Sequence, residues 1–390
     1  MSLSRRTFVR TLGIGGAGIL SADFIGGRGL EHALAMGLQE RRAPRGNDAI
    51  VISSNENPRG PADAVLEMLR GKSNYRVGRY PENIGALEDT IAKKFGAKAE
   101  NVLIGTGSGA ILEAAVLAYV TPSKALVNGT PSYSSPDRTA NRIKAPIKLV
   151  PVEKSSLSLD LGAMADASKG AGLVFVCNPN NPTATVHPAA AIADFVRKVR
   201  ATSPSTAIHI DEAYLDYAAD PTGTAAPLAL EYPDVFITRT FSKAYGMAGL
   251  RLGYALGQPA TLKKLSAAWG LGSVNVLTAA AAVAALKDTA HMDAERIENK
   301  KVRDFTNAGF KDMGITGSVS NTNFVFLNIG RPAAEFRDAC AKRNVFVARD
   351  FPPMEKTHAR VTIGTMDEMK KAMDVFREVL ATRTTAAGAQ

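Results

Sequence analysis

The chain has 390 residues, 45% of them apolar and 22% charged, which is long enough for two domains with real cores and too apolar for a disordered protein. Its 47 basic and 37 acidic residues give a net charge of +10. That charge is spread without a basic run of five or more, which speaks against nucleic-acid binding and suits a small anionic ligand. Two cysteines and five scattered histidines make neither a disulfide framework nor a metal-ligand set.

Ser4-Arg-Arg-Thr-Phe-Val-Arg10 closely matches a twin-arginine export signal, and a Gly-diluted apolar stretch runs on from Thr11 to Ala22. The stretch is about half of the roughly 20 continuous apolar residues that a membrane span needs. Asp23 and Arg28 close it off, and Ala33-Leu-Ala35 offers a small-residue cleavage site. These features predict a signal peptide over 1–35 and a folded substrate for the Tat export machinery. The mature protein is then expected to be periplasmic, without a membrane anchor.

An N-terminal arm over 36–75 follows, extended from Asp48 to Pro61 because Pro58 and Pro61 block a helix. Helical apolar spacing begins at Pro61 and ends at Leu69. After Arg79-Tyr-Pro81 the pattern alternates. Strands are predicted over 101–104, 125–128, 147–150, 173–177, 207–210, 235–238 and 252–256, with helices near 85–95, 110–119 and 189–201. Apolar runs separated by amphipathic helices imply a largely parallel sheet covered on both faces, here over 76–260. Ligand groups gather at the carboxyl ends of such strands, where Gly105–Gly109, Asn178–Asn181 and Asp211–Tyr214 fall. Helices over 277–286 and 292–313 then precede strands over 323–329, 345–348 and 360–363, with further helices over 333–343 and 366–381. This order predicts a smaller α+β domain over 261–390.

Three blocks concentrate the chemistry: Asn178-Pro-Asn-Asn-Pro-Thr183, Asp211-Glu-Ala-Tyr214 and Thr240-Phe-Ser-Lys-Ala-Tyr-Gly-Met-Ala-Gly-Leu-Arg251. Asn181 stands 30 residues before Asp211, and Lys243 32 after it. Gly105-Thr-Gly-Ser-Gly109, between a strand and a helix, offers free N–H groups at a helix terminus to a phosphate. The same turn could open a dinucleotide fold, but the next strand ends in Asn128, where an acidic ribose ligand would be wanted. Taken singly, Lys243 is a surface lysine, Asp211 a turn carboxylate, Arg360 an edge-strand arginine, and the tyrosines packing residues. Cys177 ends an apolar run as a buried thiol, and His209, sharing strand parity with Asp211, is a core histidine.

These blocks occur in order with Ser54-Asn-Glu-Asn-Pro-Arg-Gly-Pro61, Arg79-Tyr-Pro81, Pro131-Ser-Tyr133, Asn323-Phe324 and Arg360-Val-Thr-Ile-Gly364. Together they resemble the aspartate-aminotransferase superfamily of fold-type I pyridoxal-phosphate enzymes, and within it the histidinol-phosphate aminotransferase-like branch. The resemblance covers nearly everything after the leader. It implies an α/β fold with a large, mostly parallel sheet domain and a smaller α+β domain, a homodimer, and pyridoxal 5'-phosphate as cofactor. The implied reaction moves an amino group between an L-amino acid, or a phosphorylated amino alcohol, and a 2-oxo acid. A decarboxylase or lyase on the same scaffold, or a non-catalytic amino-acid-binding module, is the alternative.

Residue by residue, the resemblance makes Lys243 the Schiff-base lysine and proton carrier, with Asp211 facing the pyridinium nitrogen. Tyr214 and Asn181 become partners of the phenolic oxygen, and Tyr133 stacks on the ring. Gly107, Ser108, Gly109, Ser242 and Arg251 hold the phosphate, joined by Tyr80 from the neighbouring subunit. Arg360 clasps the substrate carboxylate in bidentate fashion, and Arg349 adds a cationic contact for a side-chain phosphate or carboxylate. Two departures stand out: Gly109-Ala110 replaces a usual acidic residue, and Arg59 replaces a frequent aromatic, a change that bears on side-chain specificity. Histidine synthesis is cytoplasmic, so the leader argues against histidinol phosphate as the substrate.

Overall fold

The computed structural model describes residues 48–71, 77–80, 84–220 and 223–381; the leader and its cleavage site lie outside the described residues. The described residues from Ile50 onward form one compact unit. In chain order the strands are β1 (Ile50–Ile52), β2 (Val102–Gly105), β3 (Leu126–Thr130), β4 (Ile147–Pro151), β5 (Leu173–Cys177) and β6 (Ala207–Asp211). They continue with β7 (Val235–Thr240), β8 (Gly253–Gly257), β9 (Thr316–Gly317), β10 (Phe324–Asn328), β11 (Val345–Val347) and β12 (His358–Thr362).

A seven-stranded sheet has the order β2-β8-β7-β6-β5-β3-β4. Strands β3 to β7 pair in parallel, whereas β8 runs antiparallel to both β7 and β2. The mostly parallel sheet expected from the sequence is therefore present with one reversed strand. The loop from β7 to β8 contains no crossover helix, so the chain returns beside β7 in the opposite sense.

Strand β5 is buried throughout because both faces of the sheet are covered. On one face Val174, Val176, Ile208 and Ile210 pack under helices Gly85–Lys94, Leu161–Ala167, Ala189–Thr202 and Val276–Lys287. On the other, Leu173, Phe175 and Phe236 meet helices Ser108–Tyr119 and Pro259–Ala268. Each fully buried aliphatic side chain in these layers contributes about 1.5–3 kcal/mol. Helix Ser108–Tyr119 starts two residues before the predicted Ala110, because Gly107 at φ +88° is its N-cap. Short helices at Ser135–Arg142, Leu161–Ala167, Ala226–Glu231 and Pro259–Ala268 were not anticipated, since their alanine-rich or polar turns carry no long apolar stripe.

The later elements build a second core around Phe310, Phe336 and Phe376, under helices Thr289–Asp312, Ala333–Ala341 and Met366–Ala381. Here β12, β10 and β9 form an antiparallel sheet. Strand β1 pairs in parallel with β11, matching Ile50 to Val345 and Ile52 to Val347, so the arm begins as a strand of this layer. The arm then runs back to the large sheet, where Gly60 touches Gly246. No helix among the described residues is long and apolar enough to cross a membrane.

Candidate active site

Strand β6 ends on Asp211, in register with Cys177 of β5 and Thr238 of β7. Strand alternation turns Asp211 to the face opposite Ile208 and Ile210, and the carboxylate is buried. Thr238 Oγ1 donates to Asp211 Oδ1 at 3.0 Å, and the Ala213 N–H also donates to the carboxylate. Burial outweighs these donors and pushes the carboxyl up to about 7. Lys243 lies on the loop after β7, its Nζ donating to the Ser54 carbonyl at 2.9 Å and standing 5.7 Å from the Tyr214 ring centroid. Burial, then the charge of Arg360, lowers its ammonium to about 7 against the pull of Glu56. A large share of the lysine is therefore neutral near pH 7, the form that attacks a carbonyl.

The structure brings Tyr214 and Asn181 together. The Tyr214 hydroxyl accepts from Asn55 Nδ2 at 3.0 Å and from Asn181 Nδ2 at 3.5 Å. Burial raises its phenol above the ordinary range, with Arg360 opposing. Arg360, opposite Phe326 on β12, donates from Nη1 to Asn181 Oδ1 and from Nη2 to the Ser53 carbonyl, both at 2.7 Å. Its Nε is buried without a partner. Burial holds this guanidinium at about 10. The ring of Phe351 lies 4.7 Å from the guanidinium of Arg360 and 4.7 Å from that of Arg349. Tyr133 is raised by burial and by the Asp211 charge, with Arg138 and Arg349 opposing.

Beside these groups is an anion cradle. Gly107 adopts φ +88°, and a Cβ there would stand 2.6 Å from Arg251 Nη2. Arg251, at φ +54°, donates from Nη1 to the Ala248 carbonyl at 2.9 Å and to Ser242 Oγ at 3.4 Å. The N-terminus of helix Ser108–Tyr119 completes the cradle with free N–H groups and the positive end of its dipole. Gly109 borders open space, so its lack of a side chain is not demanded sterically. Gly246, at φ +67°, admits the backbone of Gly60, where a Cβ would come within 2.2 Å, and Gly249 faces open space.

Arg59 is engaged elsewhere. Its Nε and Nη2 donate to Glu295 Oε2 and Oε1 at 2.7 and 2.6 Å, and Tyr217 donates to the same carboxylate at 3.2 Å. This clamp fastens the arm to helix Thr289–Asp312. Arg59→Ala is expected to destabilise the fold by about 3 kcal/mol, since it strands a buried carboxylate, with the amino-donor KM little changed; denaturant unfolding and steady-state kinetics check the two parts. Tyr80 is 94% exposed and, among the described residues, joins no site group of its own chain. Arg349 donates from Nη1 to the Asp350 carbonyl at 2.9 Å. Cys177 and Cys340 are free and buried, and the described residues hold no cluster suited to a metal ion.

Asn55 had no assigned role from the sequence, although it lies in the Asn-Glu-Asn-Pro block. It sits at φ +55°, a conformation asparagine tolerates, donates its N–H to Thr362 Oγ1 at 3.0 Å, and accepts on its carbonyl from Asn323 Nδ2 at 3.1 Å. Thr238 was likewise overlooked, because a threonine inside an apolar strand carries no signal until its hydroxyl is seen on Asp211.

Residues 47–376 match the family model for aminotransferase class I and II. The chain is 35% identical over 336 residues to histidinol-phosphate aminotransferase of Symbiobacterium thermophilum, covering 86% of this chain and 91% of that protein. Histidinol-phosphate aminotransferase of Sinorhizobium meliloti, solved in complex with pyridoxal-5'-phosphate, superposes with a TM-score of 0.79 at 25% identity, covering 86% of this chain and 91% of that one. A Thermus thermophilus aspartate aminotransferase mutant superposes with a TM-score of 0.73 at 18% identity, over 86% and 99% of the two chains, which shows a shared fold. With a lysine whose ammonium is disfavoured, a buried carboxylate and an anion cradle close to one another, the matches agree with the chemistry: the chain belongs to the class I and II aminotransferases and is a pyridoxal-phosphate-dependent aminotransferase of the aspartate-aminotransferase fold type I.

Proposed function

We propose that this aminotransferase attaches its cofactor at Lys243 and acts on amino donors that carry an anionic group beyond the amine. The residues present fit the cofactor. Gly107, at φ +88° where side chains are strained, lies beside the Arg251 guanidinium at the start of a helix, an arrangement suited to a phosphate. Gly107, Ser108, Gly109, Ser242 and Arg251 would hold the phosphate, and Asp211 the ring nitrogen. Tyr214 and Asn181 would hold the phenolic oxygen, with Tyr133 stacked on the ring. When bound, pyridoxal phosphate supplies an aldehyde that condenses with amines and a protonated heterocycle that takes up electrons from the substrate Cα. Asp211 would keep the ring nitrogen charged. Lys243 Nζ would take up the proton from the substrate Cα and later give it back, acting as base and then acid. The exposed Tyr80 would reach the phosphate site of a second copy, which makes the working unit a homodimer.

The observation that carries the substrate reading is the pair of guanidinium groups, Arg349 and Arg360, each 4.7 Å from the Phe351 ring. A carboxylate or phosphate would meet both through charge-assisted hydrogen bonds. The phosphorylated amino alcohol in the names of the relatives has such a group, as does a 2-oxo acid acceptor. The leader weighs toward a different donor of the same charge class. A panel of histidinol phosphate, glutamate and 2-phenylethylamine, an amine with no anionic group, each with 2-oxoglutarate and pyruvate, tests the reading on purified mature protein. The anionic donors are expected to exceed 2-phenylethylamine in kcat/KM by at least about tenfold. A preference for 2-phenylethylamine would discard it.

Arg360→Lys is expected to raise the amino-donor KM by about tenfold or more, because an ammonium cannot reproduce a fork of paired donors, while the visible absorption of bound cofactor persists. Steady-state kinetics and absorption spectra check this. For location, the Ser4–Arg10 motif and the cleavage site at Ala35 support export through the twin-arginine route to the periplasm. Cell fractionation that finds the protein in the cytoplasm with an intact N-terminus would overturn the export reading.

A further inference from the structure

On the face of the sheet that carries Asp211, the central strands place two rows of side chains side by side. Phe175, His209 and Phe236 are in register across β5, β6 and β7, and Cys177, Asp211 and Thr238 form the next row toward the carboxyl ends. The first row belongs to an apolar layer, with the imidazole stacked on Phe236 at 4.6 Å between centroids and edge-on to Phe175 at 5.2 Å. His209 has no exposed surface, and a buried ring nitrogen costs stability unless it is bonded. One such bond is made: His209 Nε2 lies 2.8 Å from Thr238 Oγ1, whereas Nδ1 is buried without a partner.

The hydroxyl of Thr238 has a single proton, and Asp211 Oδ1, an acceptor when ionised, lies 3.0 Å from it. Thr238 therefore gives its proton to Asp211 and must accept from His209, which fixes the proton of the neutral imidazole on Nε2. We propose that His209 is a positioning residue for the reaction, one that acts through Thr238 to aim a hydroxyl donor at Asp211 and so keep the carboxylate ionised for the cofactor ring. This rests on the reading of Asp211 as the partner of the ring nitrogen.

The chain of donors runs one way, from His209 to Thr238 to Asp211. Burial lowers the imidazole to about 3, so it stays neutral at every pH where the protein works and adds no charge of its own. For Asp211, the Thr238 hydroxyl is the largest influence opposing burial. The other titratable groups facing this carboxylate are Glu212 beside it, Lys243 from the loop after β7, Cys177 on β5 and Tyr133. Of these only Glu212 touches Thr238, its backbone N–H donating to the Thr238 carbonyl at 2.8 Å and not to the hydroxyl, so removing the histidine donor changes the aim of the hydroxyl and leaves those charges in place.

The test uses His209→Phe, which keeps an aromatic ring in the row of Phe175 and Phe236 while removing the donor, together with Thr238→Val and the double variant. Cofactor-free protein is titrated with pyridoxal phosphate across pH, and capture is read from the visible absorption band. Losing a donor makes Asp211 easier to protonate, so His209→Phe is expected to move the midpoint of capture up by about half to one pH unit. Thr238→Val moves it as far or further, and the double variant matches Thr238→Val because the histidine acts only through the threonine. An unchanged midpoint in His209→Phe, or a double variant that adds both shifts, would overturn the proposal. Imidazole 15N NMR of cofactor-free wild-type protein, recorded above the Asp211 titration at about 7 so that the carboxylate is ionised, needs neither folding of a variant nor cofactor. A proton on Nε2 of His209 is expected, and one on Nδ1 would overturn the proposal. Absence of capture in every variant, with the Nε2 proton in place, would count against the reading of Asp211 and leave the order of the hydrogen bonds intact.

Discussion

Lys243→Ala is expected to lower kcat by at least about 10⁴-fold and to abolish the visible absorption that marks covalently held cofactor, with the fold retained. Two functions are lost at once, the attachment point and the group that moves the Cα proton. Stability should not suffer, because among the described residues the Lys243 amine gives a single hydrogen bond, to the Ser54 carbonyl, and it sits beside the guanidinium of Arg360. Removing a buried amine whose charged form is disfavoured relieves a cost. Absorption spectroscopy, circular dichroism and steady-state kinetics on one preparation check all three parts. Retention of turnover and of the visible band would remove Lys243 from its role.

Asp211→Asn is expected to lower kcat by about 10²–10³-fold, since an amide has no charge with which to hold a ring nitrogen protonated. The same substitution carries a pH signature in cofactor-free protein. The Asp211 carboxyl titrates near 7 when folded against an ordinary 3.8. Between about pH 4 and 7 the native state thus holds a proton that the unfolded chain has released, and stability falls as pH rises through that window. Lys243 does the reverse. Its ammonium is lowered from 10.5 to about 7, so from about pH 7 to 10.5 the unfolded chain holds the extra proton and stability rises with pH. Together the two groups place a minimum near pH 7, and Asp211→Asn should remove the contribution of the carboxyl to the falling limb. Denaturant unfolding followed across pH checks this, and an unchanged acid limb in the variant would contradict it.

Much of the fold and the cleft was legible because the reactive residues lie in short contiguous blocks at the ends of apolar strands. Asp211 ends Ala-Ile-His-Ile, and Lys243 follows Val-Phe-Ile-Thr-Arg-Thr with a two-residue spacer. Strand periodicity and block order sufficed to place both at one edge of a sheet. The contacts that complete the site were hidden because they join distant parts of the chain. Asn55 meets Tyr214 across 159 positions, and Arg59 meets Glu295 across 236. No local pattern marks Glu295, an acidic residue in a charged helix, as a buried partner. The arginine whose departure from the family pattern pointed to substrate specificity is instead held by that carboxylate. The reversal of β8 was equally invisible, since a strand reads the same in either direction.

Mass-spectrometric peptide mapping after borohydride reduction of the holoenzyme tests the central assignment most directly. A phosphopyridoxyl group on the peptide carrying Lys243, and on no other lysine, is the expected result. The group on a different lysine, or no labelled peptide from protein that retains its visible absorption, would contradict it.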